Sequence, residues 1–278
     1  MILITGGRGA VATRLLSLVT DAGLAVRVGS AEPAQLTLPE GIPAVRLDLT
    51  APSTFASALA GVRSVFLYAS ASHLDTFLDE AGRAGVQHIV LLSSAAVLSP
   101  DAETSAMAKS HLDAERAVQA SPITATILRP GSFAANATGW AWAIKTGKPV
   151  RLPYPGAYND PIHERDIAEA AYTVLTQPRH HGGVYDLTGP ETLTFAEQLD
   201  QLAKAVGQPI TVEQVTPAEW KEAMAEHLPP NFADSILDYW KSTDGKPVPL
   251  TDVVQKLTGH PGRTFAEWAA DHAAEFAS

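Results

Sequence analysis

MILITGGRGAVATRLLSLV occupies residues 1–19 and decides the fold. The apolar run Ile2 to Ile4 predicts a short β-strand. Thr5-Gly6-Gly7-Arg8-Gly9-Ala10-Val11-Ala12 follows at once, and Val11, Leu15, Leu18 and Val19 then recur at helical spacing. Strand, glycine turn and helix are the opening unit of a βαβ fold, whose first turn is where the pyrophosphate of a dinucleotide sits. Gly6 allows the tight turn off the strand, Gly9 lets the backbone approach phosphates, and Ala12 stands where a third glycine would let the helix pack close. A G-x-x-G-x-x-A spacing alone is weak; placed between a strand and a helix it becomes specific.

Outward from this unit, strands and helices alternate, which predicts a parallel sheet. Strands are expected at Ala25–Val28, Ala44–Leu47, Ser64–Tyr68, His88–Leu92, Thr124–Leu128 and Val184–Leu187. Helices are expected at Ser53–Leu59, Thr76–Ala84, Ser105–Ala120, Asp166–Leu175 and Thr194–Val206, the last with a Thr194/Glu197 capping box. Trp140 and Trp142 fall on a short helix, and the chain from Thr216 onward reads as mostly helical. The fold class is therefore α/β: a Rossmann-type, doubly wound parallel sheet with a smaller mixed C-terminal lobe. Residues 1–135 form the expected dinucleotide-binding core, with returning elements at about 160–190. Residues 136–278 form most of a substrate-binding lobe, and the whole is one compact unit.

Composition bounds the function. The 278 residues are 46% hydrophobic, enough for a large core, and carry a net charge of −10. That balance argues against nucleic acid or an anionic membrane as partner. With no cysteine there is no disulfide, thiolate nucleophile or cysteine-ligated zinc. The His and carboxylate positions show no ligand spacing, so no metal is expected. No apolar run reaches membrane-spanning length, and the chain opens on a strand rather than a signal peptide, so a cytoplasmic protein is the expectation.

Short motifs spread along nearly the whole chain give it a family resemblance: TGGRGAVA (5–12), LDLT (47–50), LYAS (67–70), HIVLLSSAAV (88–97), HLDAERAV (111–118), ILRPGSF (127–133), HERDIAEAA (163–171), YDLTGPETLT (185–194) and LTGHPGRTFAEW (257–268). In their order and spacing the sequence resembles the atypical short-chain dehydrogenases, in particular the NmrA-like group. The resemblance implies a seven-stranded Rossmann-type sheet and a nicotinamide dinucleotide. It implies that Thr5, Gly6, Gly9 and the amides near Val11 hold the pyrophosphate. Asp48 and Leu49 would touch the adenine, Ala69 and Ser70 would line the ribose, and Pro130 and Phe133 would lie near the nicotinamide. Asp48 could instead serve only as a turn or capping residue, and Pro130 only as a strand terminator.

For the cofactor, the second strand ends without the acid that an NAD enzyme places on the ribose hydroxyls. The Arg that many NmrA-like relatives carry near Ala31 is absent too. Arg8 is the nearest cation and Ser30 a hydroxyl donor, so NADP(H) is favoured over NAD(H). For catalysis, Ser94 matches the dehydrogenase Ser, but the Tyr-x-x-x-Lys pair is missing. Aligning on Glu115 puts His111 at the Lys position and Met107 at the Tyr position; aligning on Lys109 puts Ser105 at the Tyr position. His111 is left to bind the ribose or give a proton, with Tyr154, Tyr158 and His163 ranked below it. Phe133, Trp140, Trp142, Tyr154 and Tyr158 could line an apolar pocket for a flat aromatic or carbonyl substrate. The first expectation is an NAD(P)H-dependent oxidoreductase reducing a quinone, enone or related carbonyl, with a homodimer as a possible assembly. The alternatives are an NADP-sensing regulator that never turns over, and a non-redox isomerase, lyase or cyclase on the same scaffold.

Overall fold

The computed structural model describes residues 1–69 and 72–277. In chain order its elements are β1 (Ile2–Ile4), α1 (Ala10–Asp21), β2 (Val26–Ser30), β3 (Ala44–Arg46), α2 (Phe55–Leu59), β4 (Ser64–Tyr68), α3 (Leu74–Ala84), β5 (His88–Leu92), α4 (Ala106–Ala120) and β6 (Thr124–Pro130). Then come α5 (Ala141–Lys145), β7 (Val150–Leu152), β8 (Tyr158–Asn159), α6 (Glu164–Thr176), β9 (Val184–Leu187), β10 (Leu193–Thr194), α7 (Phe195–Val206) and β11 (Val212–Gln214). The helices α8 (Pro217–Met224), α9 (Pro230–Thr243), α10 (Val253–Thr258) and α11 (Phe265–Asp271) complete the described chain.

Seven strands pair in the order β3-β2-β1-β4-β5-β6-β9, all parallel. Side-chain alternation sorts each strand between two cores. Ile4, Phe66, Val90 and Leu92 face α1, α6 and α10, where Val11, Leu15 and Val19 recur every fourth residue. Leu3, Val65, Leu67, Ile89 and Leu91 face α2, α3 and α4. Both faces are thus covered, which is why these strands are continuously apolar. Arg27 has a structural role: its Nη1 donates to the Ala58 and Ala60 carbonyls (2.9 and 3.1 Å) and closes the C-terminus of α2.

The expected element boundaries shift at a few ends. β2 runs on to Ser30, and β6 runs on to Pro130, because Arg129 and Pro130 still pair with Asp186 and Leu187 of the edge strand β9. Pro130 is therefore the last strand residue rather than a stop beyond it. Pro230 opens α9 at its first turn, where a missing N–H costs nothing, rather than breaking a helix. The expected capping box at Thr194 and Glu197 is present.

After β6 the chain builds a third core around Phe195, Leu199, Phe265, Trp268 and Phe276, and a fourth around Trp220, Ala233 and Leu237. Phe133 bridges to Ile162, and α9 packs against both α4 and β8, so these later elements stand over the carboxyl end of the sheet. Strand order reverses between β1 and β4, and the crevice at that switch point is the place where open α/β sheets bind ligands.

Candidate cofactor-binding and active site

The turn after β1 is held from below. The Thr5 N–H donates to Phe66 O (3.0 Å), and Thr5 Oγ1 accepts from the Tyr68 N–H (3.1 Å), so the ends of β1 and β4 are clasped together. Thr5 is buried by this role. Gly6 adopts φ +63° and Gly9 donates its N–H to Gly6 O (2.8 Å), closing the turn. Gly9 then becomes the N-cap of α1 without any side-chain cap. Among the described residues the amides of Arg8, Ala10 and Val11 donate to no backbone carbonyl. They are the orphan donors of a helix start, and they carry the positive end of its dipole.

Thr5, Gly6, Gly7, Arg8, Ser30, Ala31, Leu47, Asp48, Leu49, Thr50 and Tyr68 line one open cleft above this turn. The sequence-based cofactor residues therefore converge on one side: the β1 turn, the β2 end and the Asp48–Leu49 step. Donors at a helix start, an absent side chain at Gly6 and Gly9, and a cleft leading away over β2 and β3 suit a dinucleotide pyrophosphate and its adenosine. Arg8 leans toward the end of β2, donating to Gln35 Oε1 (3.0 Å) and standing 3.8 Å from Glu32. Ser30 Oγ accepts from the Glu32 N–H (3.2 Å) and keeps its own proton to donate. Asp48 Oδ1 accepts from the Thr50 N–H (2.9 Å) and hydroxyl (2.7 Å), which holds the carboxyl below its ordinary range. Asp48 thus holds the turn, and it also lines the cleft. Ala69 is fixed by donating its N–H to Leu92 O (3.1 Å), and Ser70 lies outside the described residues.

Ser94 and His111 sit beyond β5 and on α4. Ser94 Oγ accepts from the Ala96 N–H (3.1 Å), capping a short 3₁₀ turn. His111 Nδ1 is buried without a hydrogen-bond partner among the described residues. Burial lowers the pKa of this ring, with the nearby Glu115 charge pulling the other way. A neutral imidazole at pH 7 with one free nitrogen suits a ribose or substrate hydroxyl. Beside them, Ser93 donates to Glu115 Oε1 (2.6 Å), and Arg129 grips both Glu115 oxygens (2.9 and 2.6 Å). This network fixes α4 to the end of β5 and to β6.

Three of the lobe's aromatic residues go to different places. Trp142 is 65% exposed with Lys148 over its ring, Trp140 packs edge-on to Phe195, and Tyr154 sits among the apolar side chains under α9. Trp140 and Tyr154 thus serve the lobe's own core, while Trp142 faces outward. His163 is fully buried as the N-cap of α6, accepting from the Arg165 N–H (3.1 Å).

Two features had no sequence signal. Gly131 lacks a Cβ because the Asp160 carboxylate fills that space, and Asp160 Oδ1 accepts from the Ser132 N–H (3.0 Å). Burial pushes the Asp160 pKa up to about 6. Burial, and then the Asp160 charge, push the nearby Tyr239 phenol up to about 12. Because the folded pKa of Asp160 exceeds the ordinary 3.8, its contribution to stability is full below about pH 4 and is lost as pH rises through 6. Asp160→Asn removes that titration. Urea unfolding should show the variant gaining on the wild type by about 3 kcal/mol between about pH 4 and pH 8. A difference that does not move with pH refutes the assignment.

The second feature is a pair of potential metal-ligand groups, His163–Glu164–His272 and Asp166–Glu169–His260. Their lone pairs are engaged within the protein. Glu164 accepts from Trp268 Nε1 (3.0 Å) and meets His272 Nε2 (2.9 Å), while Arg263 reaches both Asp166 and Glu169. They tie α10, α11 and the segment between them to α6.

A model of the NAD(P)H-binding family matches residues 6–178. The chain is 34% identical to the (4-alkanoyl-5-oxo-2,5-dihydrofuran-3-yl)methyl phosphate reductase of Streptomyces griseus, over 100% of this chain and 99% of that protein. It is 31% identical to the NAD(P)H azoreductase of Xenophilus azovorans, over 99% of each. Among solved structures, the NADPH-dependent quinone oxidoreductase of Escherichia coli in complex with NADPH superimposes with a TM-score of 0.80 at 26% identity, covering 98% of this chain and 99% of that one. No described helix is long and apolar enough to cross a membrane.

Proposed function

We propose, from the premise that this chain belongs to the NAD(P)H-binding family and is an oxidoreductase of the atypical short-chain dehydrogenase type, that it reduces a conjugated acceptor, namely an enone, a quinone or a related carbonyl. The observation that carries the reading is the α4 face. Neither register of α4 supplies a tyrosine: Met107 or Ser105 stands where the dehydrogenase acid would be, with His111 and its free Nδ1 further along the same helix. Such a face suits acceptors that need no strong acid. A bound reduced nicotinamide would supply hydride to one atom of such an acceptor. The resulting negative charge would spread over a quinone ring, or over the two carbonyls attached to one carbon of the double bond of an alkanoyl-dihydrofuranone, and a weak donor or water would suffice to deliver the proton. The Streptomyces, Xenophilus and Escherichia relatives are named as reductases of a dihydrofuranone phosphate, an azo compound and a quinone, which supports a conjugated acceptor.

In this reading the free amides of Arg8, Ala10 and Val11 hold the pyrophosphate, and Asp48 and Leu49 border the adenine. Ala69 lies at the ribose, and Pro130 and Phe133 border the nicotinamide side. Ser94 orients the acceptor, and His111 binds a ribose or substrate hydroxyl. Residues 136–278 supply most of the substrate side. NADP(H) is the preferred cofactor, because the Arg8 guanidinium stands at the end of β2 where a 2′-phosphate would lie. Glu32 opposes that preference only as an exposed, Arg8-paired acid. The net charge of −10 leaves nucleic acid an unfavoured partner, and the cytoplasm is the natural compartment for such a reductase.

The test is NADPH and NADH oxidation over a panel of quinones, azo dyes and unsaturated lactones, for wild type and Arg8→Ala. Turnover with at least one acceptor is expected, as is a loss of about tenfold or more in kcat/KM for NADPH with little change for NADH. Tight nucleotide binding without turnover on any acceptor overturns the reductase reading in favour of a sensor. Equal losses with both cofactors remove Arg8 from phosphate recognition.

A further inference from the structure

Tyr68, the last residue of β4, is tied to the glycine turn by more contacts than any ligand-free reading needs. Strand alternation points Phe66 and Tyr68 to the α1 face, and their rings meet edge-on at 5.5 Å. The Tyr68 ring occupies the space that two side chains would otherwise take. A Cβ on Gly6 would come within 2.6 Å of its Cδ2, and one on Gly9 within 2.5 Å of its Oη. The first and second glycines of the motif are thus the imprint of this ring as well as of an approaching phosphate. Thr5 accepts the Tyr68 N–H and sets the strand end that carries the ring.

The hydroxyl has a defined polarity. Oη accepts from the Ala12 N–H at 3.2 Å, capping the third amide of α1. A phenol has one proton to donate, and among the described residues the Tyr68 proton has no acceptor. Burial raises the Tyr68 pKa and keeps that proton in place. The same hydroxyl meets the first turn of α1, whose Ala10 and Val11 amides donate to no backbone carbonyl among the described residues, and Tyr68 lines the cleft together with Gly6, Gly7 and Arg8. A donor already polarised by a helix amide, at the start of a helix with unpaired amides, suits an anionic oxygen.

We propose that the Tyr68 hydroxyl is a direct ligand of the dinucleotide pyrophosphate, relaying the α1 helix start onto a phosphate oxygen through Ala12 N–H···Oη–H. This rests on the dinucleotide reading above and assigns a residue to it that the glycine motif does not contain. Tyr68 is a binding residue here, with no part in the hydride step.

Tyr68→Phe keeps the ring and removes the donor. Calorimetric titration with NADPH, ADP-ribose and adenosine 2′-monophosphate separates the possibilities, because the last probe has no pyrophosphate. A hydrogen bond to a charged group predicts Kd values raised about tenfold or more for NADPH and ADP-ribose. The value for adenosine 2′-monophosphate should stay the same, and thermal unfolding should fall only by the few degrees that the orphaned Ala12 N–H costs. Unchanged or tighter NADPH binding overturns the proposal, since a hydroxyl that merely occupies the anion's place would bind better when removed. Equal weakening of all three probes also overturns it, as a general disturbance of the cleft. Failure of the wild type to bind NADPH overturns the dinucleotide reading itself, and the proposal with it.

Discussion

Gly6→Ala should raise the Kd for NADPH by more than about 100-fold, close to 3 kcal/mol. Two costs act together. At φ +63° an L-residue is strained by about 1–2 kcal/mol. The added methyl would also stand 2.6 Å from the Tyr68 ring, which is backed by Phe66 and pinned through Thr5. The ring cannot retreat into the packed face behind it, so the turn must move, and the amides of Arg8, Ala10 and Val11 lose their common aim. Fluorescence titration with NADPH reads the effect, and circular dichroism confirms that the sheet persists. A Kd within about threefold of wild type would mean that the turn is not the pyrophosphate site.

Arg129→Met should cost about 3–5 kcal/mol of folding stability. Glu115 is 2% exposed, and its two oxygens are shared by Ser93 and by two guanidinium nitrogens of Arg129. Removing the cation strands a buried carboxylate, and that loss exceeds what the pair contributes over an apolar replacement. The check is urea unfolding of Arg129→Met beside Glu115→Gln/Arg129→Met. The double variant should recover a large part of the loss, because no charge remains to be stranded. A single-variant cost under about 1 kcal/mol would show that Glu115 finds water or another partner.

The sheet was legible because its signals are local. Most strands carry their own apolar run, most turns their own Gly or Pro, and alternation with helices leaves few topologies. The glycine turn was legible for the same reason: Gly6, Gly9 and Val11 are neighbours in the chain. Asp48 and Ser30 could be placed beside it because strand ends in a parallel sheet share one edge. What failed depended on residues far apart. Nothing near Gly131 announces that Asp160 fills its missing side chain, and nothing near Tyr68 shows that its hydroxyl reaches Ala12. Ring count alone does not separate pocket, core and surface: Trp140 meets Phe195, and Trp142 turns outward. His163, Glu164 and His272 likewise become neighbours only when α11 returns to α6.

The clasp between Thr5 and Tyr68 has a meaning for the order in which the molecule is assembled. Its two halves are 63 positions apart. A growing chain that has displayed the whole glycine motif still lacks the surface against which the motif takes its shape. Competence to hold the nucleotide is therefore deferred until the fourth strand has docked beside the first. A nucleotide held at this turn would then steady the junction of the two halves of the sheet rather than a single loop, so nucleotide and early tertiary structure should be gained and lost as one event.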